Sequence, residues 1–185
     1  MPEGQMLLPE SERLAFRAWE ERDWPFFAAM NANPQVMRFF PAVMTKEQSR
    51  SMWDRMRAEL DEKGYGLYAV ELKVSGALIG LMGFHWADFT AEFTPCVEIG
   101  WRLVPEAWGH GYATEGARAC LKHGFSRLGF DRVYSFTACV NLPSEAVMKR
   151  AGMKKTGAFN HPKVAPDSVL YSHVLYTLDG LLESL

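Results

Sequence analysis

Apolar residues recur along the chain with two different spacings, which separate the predicted strands from the predicted helices. Short runs rich in β-branched and aromatic residues are typical of strands, whereas apolar residues three and four positions apart are typical of one helix face. The segment 113–128 shows the helical pattern, with Ala117 and Leu121 on one face and Arg118 and Lys122 opposite. Strands are predicted at 14–19, 66–73, 77–86, 96–104, 132–140, 154–157 and 169–178, and helices at 23–30, 45–64, 113–128 and 144–151.

Local signals fix the ends of the first two helices. Asp23 precedes Pro25 as a helix N-cap precedes a proline in the first turn. Thr45 and Gln48 stand three residues apart, the spacing of a capping box, and Gly64 is placed to end the second helix. The first helix is therefore expected to start at Asp23 and the second at Thr45.

The order of these elements predicts an α/β protein with a mixed sheet and helices on both faces. The chain has 185 residues and shows no internal repeat and no linker rich in Pro, Gly or Ser. We therefore expect a single domain spanning 1–185. Residues 1–10 are predicted to form a loose N-terminal extension.

Composition and charge narrow the function classes. The formal net charge is −2, so the sequence offers no global basic field for nucleic acid or anionic lipid. The longest uncharged run, Val74–Ala87, has 14 residues, fewer than a membrane-spanning helix needs. The N-terminus lacks the pattern of a secretory signal, and three cysteines show no CxxC spacing. We expect a cytoplasmic protein with reduced cysteines, and the histidine spacing predicts no zinc site.

The glycine-rich segment Gly109–Thr114 lies between a predicted strand and a predicted helix. Its backbone N–H groups converge at a helix N-terminus, where the macrodipole favours an anion, and its small residues allow close approach of a phosphate. A diphosphate therefore suits this segment. The spacing matches neither GxGxxG nor GxxxxGK[ST], and a glycine-rich turn without a ligand is the structural alternative.

The segment Trp108–Ala113 resembles the loop Q/R-x-x-G-x-G/A of the GNAT N-acetyltransferases, which holds the pyrophosphate of acetyl-CoA. Trp108 departs from Gln or Arg at the first position, where the RimJ/RimL-like branch often carries an aromatic residue. Four further segments resemble that branch in the same order along the chain. They are Ser11–Leu14, Asn33–Pro41, Val97–Leu103 and Asn141–Met153.

The resemblance implies the GNAT fold: a mostly antiparallel sheet of about seven strands, splayed in the middle and flanked by about four helices. The pantetheine arm of acetyl-CoA would lie between the two splayed strands. Leu103 and Val104 would offer it main-chain groups, and Asn141 would bind it from the other side, although Asn141 also suits a helix cap. The implied cofactor-binding residues are Leu103, Val104, Trp108, Gly109, His110, Gly111, Tyr112, Ala113, Thr114, Asn141 and Ser144.

Two residues are candidates for the chemistry. Strand alternation puts Glu98 on one face with Arg102, and a glutamate on this strand serves as the base in several GNAT enzymes. The alternative for Glu98 is an ion pair with Arg102 or another cation. Many GNAT enzymes carry a tyrosine as acid where this chain has Met148, and a thioether cannot donate a proton. Ser144 is therefore the candidate donor to the leaving thiolate, with a polar first-turn residue as the alternative.

The acceptor pocket is expected to be aromatic. Phe39 and Phe40 precede the second helix, and Phe84 and Trp86 lie on a predicted strand, although such residues also build cores. His173 is a second titratable residue that we interpret as structural.

The implied activity is transfer of the acetyl group from acetyl-CoA to a primary amine, either a protein N-terminus or a small molecule. A non-catalytic acyl-CoA-binding sensor or scaffold is the alternative from another class, because Met148 replaces the usual tyrosine. A toxin that acetylates aminoacyl-tRNA is disfavoured by the net charge of −2. A homodimer is the expected assembly if the chain oligomerises.

Overall fold

The computed structural model describes residues 7–180, which form seven strands and four α-helices. The helices begin and end close to the predicted positions, whereas several strands differ by a few residues. The strands are β1 (Leu14–Arg17), β2 (Leu67–Leu72), β3 (Leu78–Ala87), β4 (Cys96–Leu103), β5 (Arg132–Ala138), β6 (Lys154–Asn160) and β7 (Ser172–Asp179). The helices are α1 (Trp24–Ala32), α2 (Lys46–Lys63), α3 (Tyr112–Ser126) and α4 (Leu142–Arg150).

The seven strands form one mixed sheet in the order β1-β2-β3-β4-β5-β7-β6, which confirms the predicted fold class. Every neighbouring pair is antiparallel except β4 and β5, which run parallel. That parallel pair is registered through Glu98 and Tyr134 alone. One bond beyond the ladder reinforces it, because the buried Ser135 donates its hydroxyl to the carbonyl of Ile99 over 3.0 Å. Past Ile99 the two strands separate, and a gap opens in the centre of the sheet.

Helices cover both faces of the sheet. One core cluster joins α3 to one face through residues such as Met82, Ile99 and Cys120. The other joins α1 and α2 to the opposite face, with Trp53 fully buried at its centre. Helix α3 packs so closely that a Cβ at Gly116 would collide with the Sδ of Met82.

The end signals of α2 are confirmed. Gln48 N–H donates to Thr45 Oγ1 over 3.2 Å, and Thr45 N–H donates to Gln48 Oε1 over 2.8 Å, which completes the capping box. Gly64 follows the helix with φ of +72°, a left-handed conformation that favours glycine. The same conformation would strain a residue with a Cβ.

Asp23 stands at the predicted N-cap position of α1, but its side chain makes no cap hydrogen bond to the helix. A short 3-10 turn, Glu21–Asp23, precedes the helix, and the carboxylate of Asp23 accepts from Glu20 N–H over 2.9 Å. The same carboxylate binds Arg17, which also binds Glu71. Asp23 therefore joins the start of the helix to the sheet instead of capping α1.

The predicted extension 1–10 is only partly loose. Leu8 packs against the core and Pro9 is buried, while residues 1–6 lie outside the described part of the chain. Strand β1 ends at Arg17, before the predicted 19, because the indole of Trp19 turns into the core and donates to Leu67 O over 2.8 Å. Strand β6 continues to Asn160, since β7 pairs with it up to that residue. Within residues 7–180 no helix is both long and apolar enough to span a membrane.

Replacing Ser135 by alanine tests the link at the start of the gap. We expect Ser135→Ala to lower the free energy of unfolding by about 1 kcal/mol, because the Ile99 carbonyl loses a buried donor. Urea denaturation measures the change. Ser126→Ala is the matched control, because Ser126 also donates to a backbone carbonyl but is exposed. Equal effects of the two substitutions would contradict a structural role for the buried bond.

Candidate functional site

The gap between β4 and β5 opens into a cleft of about 1390 Å³. The cleft runs from the N-terminus of α3 to the residues that follow α1. Most of the predicted site residues line it, but Val104, His110, Phe84 and Trp86 do not. Those lining it are Phe39, Phe40, Glu98, Leu103, Trp108, Gly109, Gly111, Tyr112, Ala113, Thr114, Asn141 and Ser144.

The loop before α3 presents free amide groups to the cleft. Gly109 and Gly111 have φ of +78° and +80°, the left-handed conformation in which glycine is least strained. The first bond of the helix joins Glu115 N–H to Gly111 O over 3.0 Å. Among residues 7–180, the four amides of 111–114 have no hydrogen-bond acceptor. This arrangement suits an anion that accepts several N–H groups at a positive helix end.

Basic side chains that the sequence analysis did not select surround this loop. Arg13 lies over the ring of Tyr112 at 4.6 Å, and Arg150 contacts the hydroxyl of Thr114 at 3.4 Å. Arg118 and Lys122 also line the cleft. Arg13 is paired with Glu115 over 2.6 Å, so the local excess of cations comes from Arg118, Lys122 and Arg150. The net charge of the whole chain conceals this excess, and the helical pattern had assigned Arg118 and Lys122 only to a polar face.

The edge of β4 that faces the gap differs from the predicted one by one residue. Val104 uses both main-chain groups elsewhere, since its N–H donates to Ile79 O over 2.9 Å and its carbonyl accepts from Ala107 over 3.0 Å. Because alternate peptide groups point to opposite edges of a strand, those of Leu103 and Trp101 face the gap. The indole of Trp108 donates to the Leu103 carbonyl over 2.9 Å. Contrary to the prediction, Val104 therefore has no main-chain group free for a bound molecule, whereas the main-chain groups of Trp101 face the gap.

Asn141 is the N-cap of α4, as its structural alternative predicted. Its Oδ1 accepts from Ser144 N–H over 3.3 Å, and its Nδ2 donates to Thr137 Oγ1 over 2.8 Å. The cap orients the first turn of α4, which brings Ser144 and the buried Met148 to the wall of the cleft.

Glu98 lies on the floor of the cleft and belongs to a titratable cluster. His85 is its direct partner in β3, and Glu59 from α2 lies 2.7 Å from His85 Nδ1. Burial raises the pKa of Glu98 to about 7, with Glu59 acting in the same direction and His85 against it. The hydrogen bond that His85 donates to the carboxylate of Glu59 raises the pKa of His85 above its ordinary value. Within the described residues Glu98 forms no salt bridge, so the predicted pairing with Arg102 is absent.

Two predicted aromatic residues of the acceptor pocket lie elsewhere. Phe84 is fully buried in the core between Tyr65 and Phe130, on the face of β3 opposite to His85. Trp86 lies beside the ammonium of Lys63 and outside the cleft lining. The sequence pattern identified β3 but not its register with β4. That register pairs His85 with Glu98, and His85 is the residue of this strand that lines the cleft beside it.

The opposite wall of the cleft is aromatic and was not predicted. Phe136 of β5 packs against Phe89 from the β3–β4 connection at 5.5 Å. His161 and His173 lie 5.0 Å apart and line the cleft beside Phe136, and burial lowers the pKa of both. Residues 7–180 contain no group of three or more His, Cys, Asp or Glu placed to hold a metal ion.

Replacing Glu98 by glutamine tests the cause of its raised pKa. When a carboxyl has a higher pKa in the folded state than in the unfolded state, ionising it destabilises the protein. The free energy of unfolding therefore falls as pH rises from the unfolded-state pKa of Glu98, about 4.5, to its folded-state pKa, about 7. We therefore expect Glu98→Gln to be more stable than the wild type at pH 8, by roughly 1–3 kcal/mol, and the difference to vanish below pH 4.5. Urea denaturation across this range measures it. Glu92→Gln, at an exposed position, is the control, and a pH-independent difference for Glu98→Gln would contradict the explanation.

Residues 13–154 match the model of the acetyltransferase (GNAT) domain family. The uncharacterized N-acetyltransferase YnaD of Bacillus subtilis is 31% identical over 150 residues, covering 80% of this chain and 84% of the relative. The crystal structure of a GNAT-family acetyltransferase from Bacillus anthracis superposes with a TM-score of 0.76 at 27% identity, covering 94% of this chain and 99% of the other.

A more distant structure shares the fold. RimJ from Mycobacterium smegmatis, solved in complex with CoA-disulfide, superposes with a TM-score of 0.73 at 20% identity, covering 92% of this chain and 85% of the other. The family match spans most of the chain. The chain belongs to the GNAT acetyltransferase family and is an acyl-CoA-dependent N-acyltransferase that uses acetyl-CoA.

Proposed function

We propose that this protein acetylates a primary amine by direct attack while acetyl-CoA and the acceptor are both bound, with Glu98 as the general base. The observation that carries the proposal is the position of Glu98, which lies on the floor of the cleft beside the gap in the sheet. Its pKa there is about 7. A base with that pKa is half ionised near neutral pH, where proton transfer is most effective. We assign the chain to the RimJ/RimL-like branch on the five segments that resemble it.

The residues of the cleft fit acetyl-CoA. Its pyrophosphate would accept hydrogen bonds from the free amides of 111–114, next to Arg13 and Arg150. Its pantetheine arm would lie along the unpaired edge of β4. The main-chain groups of Trp101 and Leu103 face that edge. Acetyl-CoA supplies the acetyl group as a thioester.

Glu98 removes the proton that the attacking amine must lose. An ammonium acceptor with a pKa of about 8–10 is mostly protonated at neutral pH, so a nearby carboxylate increases the reactive fraction. His85 and Glu59 form a hydrogen-bonded pair beside Glu98. This pair gives the proton a further acceptor and fixes the electrostatic environment of Glu98.

Ser144 would donate a hydrogen bond to the departing sulfur. Its hydroxyl lies in the wall of the cleft on the first turn of α4, whereas the buried thioether of Met148 has no proton to give. A thiolate with an ordinary pKa near 8.5 leaves readily, so a hydrogen bond is sufficient. Much of the rate enhancement then comes from holding both substrates in one cleft.

The cysteines agree with a cytoplasmic location, which we include in the proposal. Cys96 and Cys120 are buried as free thiols, and Cys139 is also free. Burial raises the pKa of Cys96 to about 12, which keeps it in the unreactive thiol form.

Replacing Gly111 by valine tests the phosphate loop. We expect Gly111→Val to weaken acetyl-CoA binding at least about 10-fold, because a β-branched residue strains a φ of +80° and moves the amides. Calorimetric titration with acetyl-CoA measures the loss. Gly157→Val is the control, because Gly157 has a negative φ, space around its Cβ, and lies outside the cleft lining. Unchanged affinity in Gly111→Val would remove the loop from the cofactor site.

Replacing Glu98 by glutamine tests the base. We expect release of free thiol from acetyl-CoA, measured with an amine panel, to fall about 10²–10⁴-fold at pH 7 while acetyl-CoA affinity changes little. The wild-type rate should rise with pH around 7, and the variant should lack this step. Glu92→Gln should behave as the wild type. Binding of acetyl-CoA without thiol release for any amine would instead support the sensor interpretation.

A further inference from the structure

Arg102 lies almost fully buried in the acceptor side of the cleft. It is on β4, four residues after Glu98 and on the same face, and only 9% of its surface is exposed. Its guanidinium lies over the ring of Phe40 at 4.4 Å, and it lines the cleft. A charged group in this position requires compensation for its lost hydration.

The hydrogen bonds of Arg102 are incomplete. Its Nη1 donates to Asn31 Oδ1 over 2.5 Å and approaches the sulfur of Met52 at 3.9 Å. Its Nε and the Nδ2 of Asn31 are buried without an acceptor in the described structure. No residue among 7–180 accepts from its Nη2, which is not sealed from the cleft as Nε is. A donor of the guanidinium is therefore free for a bound molecule.

No described carboxylate compensates its charge. Arg17, which is less buried, binds both Asp23 and Glu71, so the same chain shows what a compensated arginine looks like. Burial alone lowers the pKa of Arg102 to about 10, so it remains a cation at neutral pH. The uncompensated cation and the carboxylate of Glu98 face the same pocket.

Between the two charged residues the floor of the pocket is open. Gly100 stands midway between Glu98 and Arg102 on the same face, and a Cβ at Gly100 would meet nothing within 4 Å. The Cα atoms of Glu98 and Arg102 are about 13 Å apart in an extended strand, and both side chains line the cleft. The pocket thus offers a base at one end and a buried cation at the other.

We propose that the acceptor amine also carries a carboxylate, and that Arg102 binds it while Glu98 receives the proton of the amine. This inference rests on the proposed function and narrows its acceptor to amino-acid-like molecules. A carboxylate on the acceptor provides the missing counter-ion of Arg102 and accepts a charge-assisted hydrogen bond from its free Nη2. A polyamine is disfavoured, because it would bring a second ammonium against an uncompensated guanidinium.

Matched acceptors test the proposal. Phenylalanine and leucine are each compared with their carboxamides by thiol release from acetyl-CoA, in the wild type and in Arg102→Met. We expect kcat/KM for the acids to fall at least about 10-fold in the variant and that for the amides to change little. Arg102→Lys should restore part of the preference. Arg55→Met, which removes an exposed cation of α2 outside the cleft, should behave as the wild type.

A binding measurement that needs no turnover completes the test. Calorimetry with 3-phenylpropionate and 3-phenylpropionamide should show tighter binding of the carboxylate, lost in Arg102→Met. If the carboxylate binds in this way but no amine releases thiol, the proposed function fails and the anion site stands. If acids and amides bind and react alike, the inference fails while the acetyltransferase activity stands.

Thermal unfolding separates recognition from a purely structural role. Removal of the uncompensated buried charge raises the stability of Arg102→Met, whereas loss of the donor to the buried Asn31 Oδ1 lowers it, so we expect the Tm to change little. A large fall in Tm, together with an equal loss of rate for acids and amides, would show that Arg102 only supports the fold and would overturn the proposal.

Discussion

The structure depends on the single registered contact between β4 and β5. On either side of it the strands pair over long antiparallel ladders, but the centre of the sheet is joined only through Glu98, Tyr134 and the bond from Ser135 to Ile99. An unpaired strand edge in the interior of a sheet leaves polar groups without partners, which is costly unless water or a ligand meets them. The cleft follows from that interruption, with the loop before α3 at one end and the residues that follow α1 at the other.

Much of this arrangement is legible in the sequence because it depends on local interactions. Thr45, Gly64 and the glycines before α3 act through bonds within a few residues, so their patterns predict their structure. Phe84 could not be placed in the same way. Its side chain points away from Glu98 because of the register between β3 and β4. The sequence of one strand alone does not predict its register with a strand distant in the chain.

The residues of the candidate site that sequence reasoning missed come together only through the fold. Glu59 and His85 meet from a helix and a strand, and Arg13 and Arg150 approach the α3 loop from opposite ends of the chain. None of these pairs has a diagnostic spacing. The overall charge balance also conceals them, since the cations near the phosphate loop are offset by carboxylates elsewhere on the surface. Burial, the main cause of the raised pKa of Glu98, is likewise a property of the assembled cleft.

The segment before β1 binds Glu115 in the first turn of α3, at the end of the cleft where the free amides of 111–114 lie. Glu115 stands in the first turn of α3, where a bare carboxylate would repel a diphosphate. The hydroxyl of Ser11 and both the N–H and the guanidinium of Arg13 donate to its two oxygens. These bonds hold the pKa of Glu115 below its usual range while neutralising its field. Ser11 and Arg13 therefore neutralise a carboxylate beside the free amides of the α3 loop, although they lie more than a hundred positions away from it in the chain.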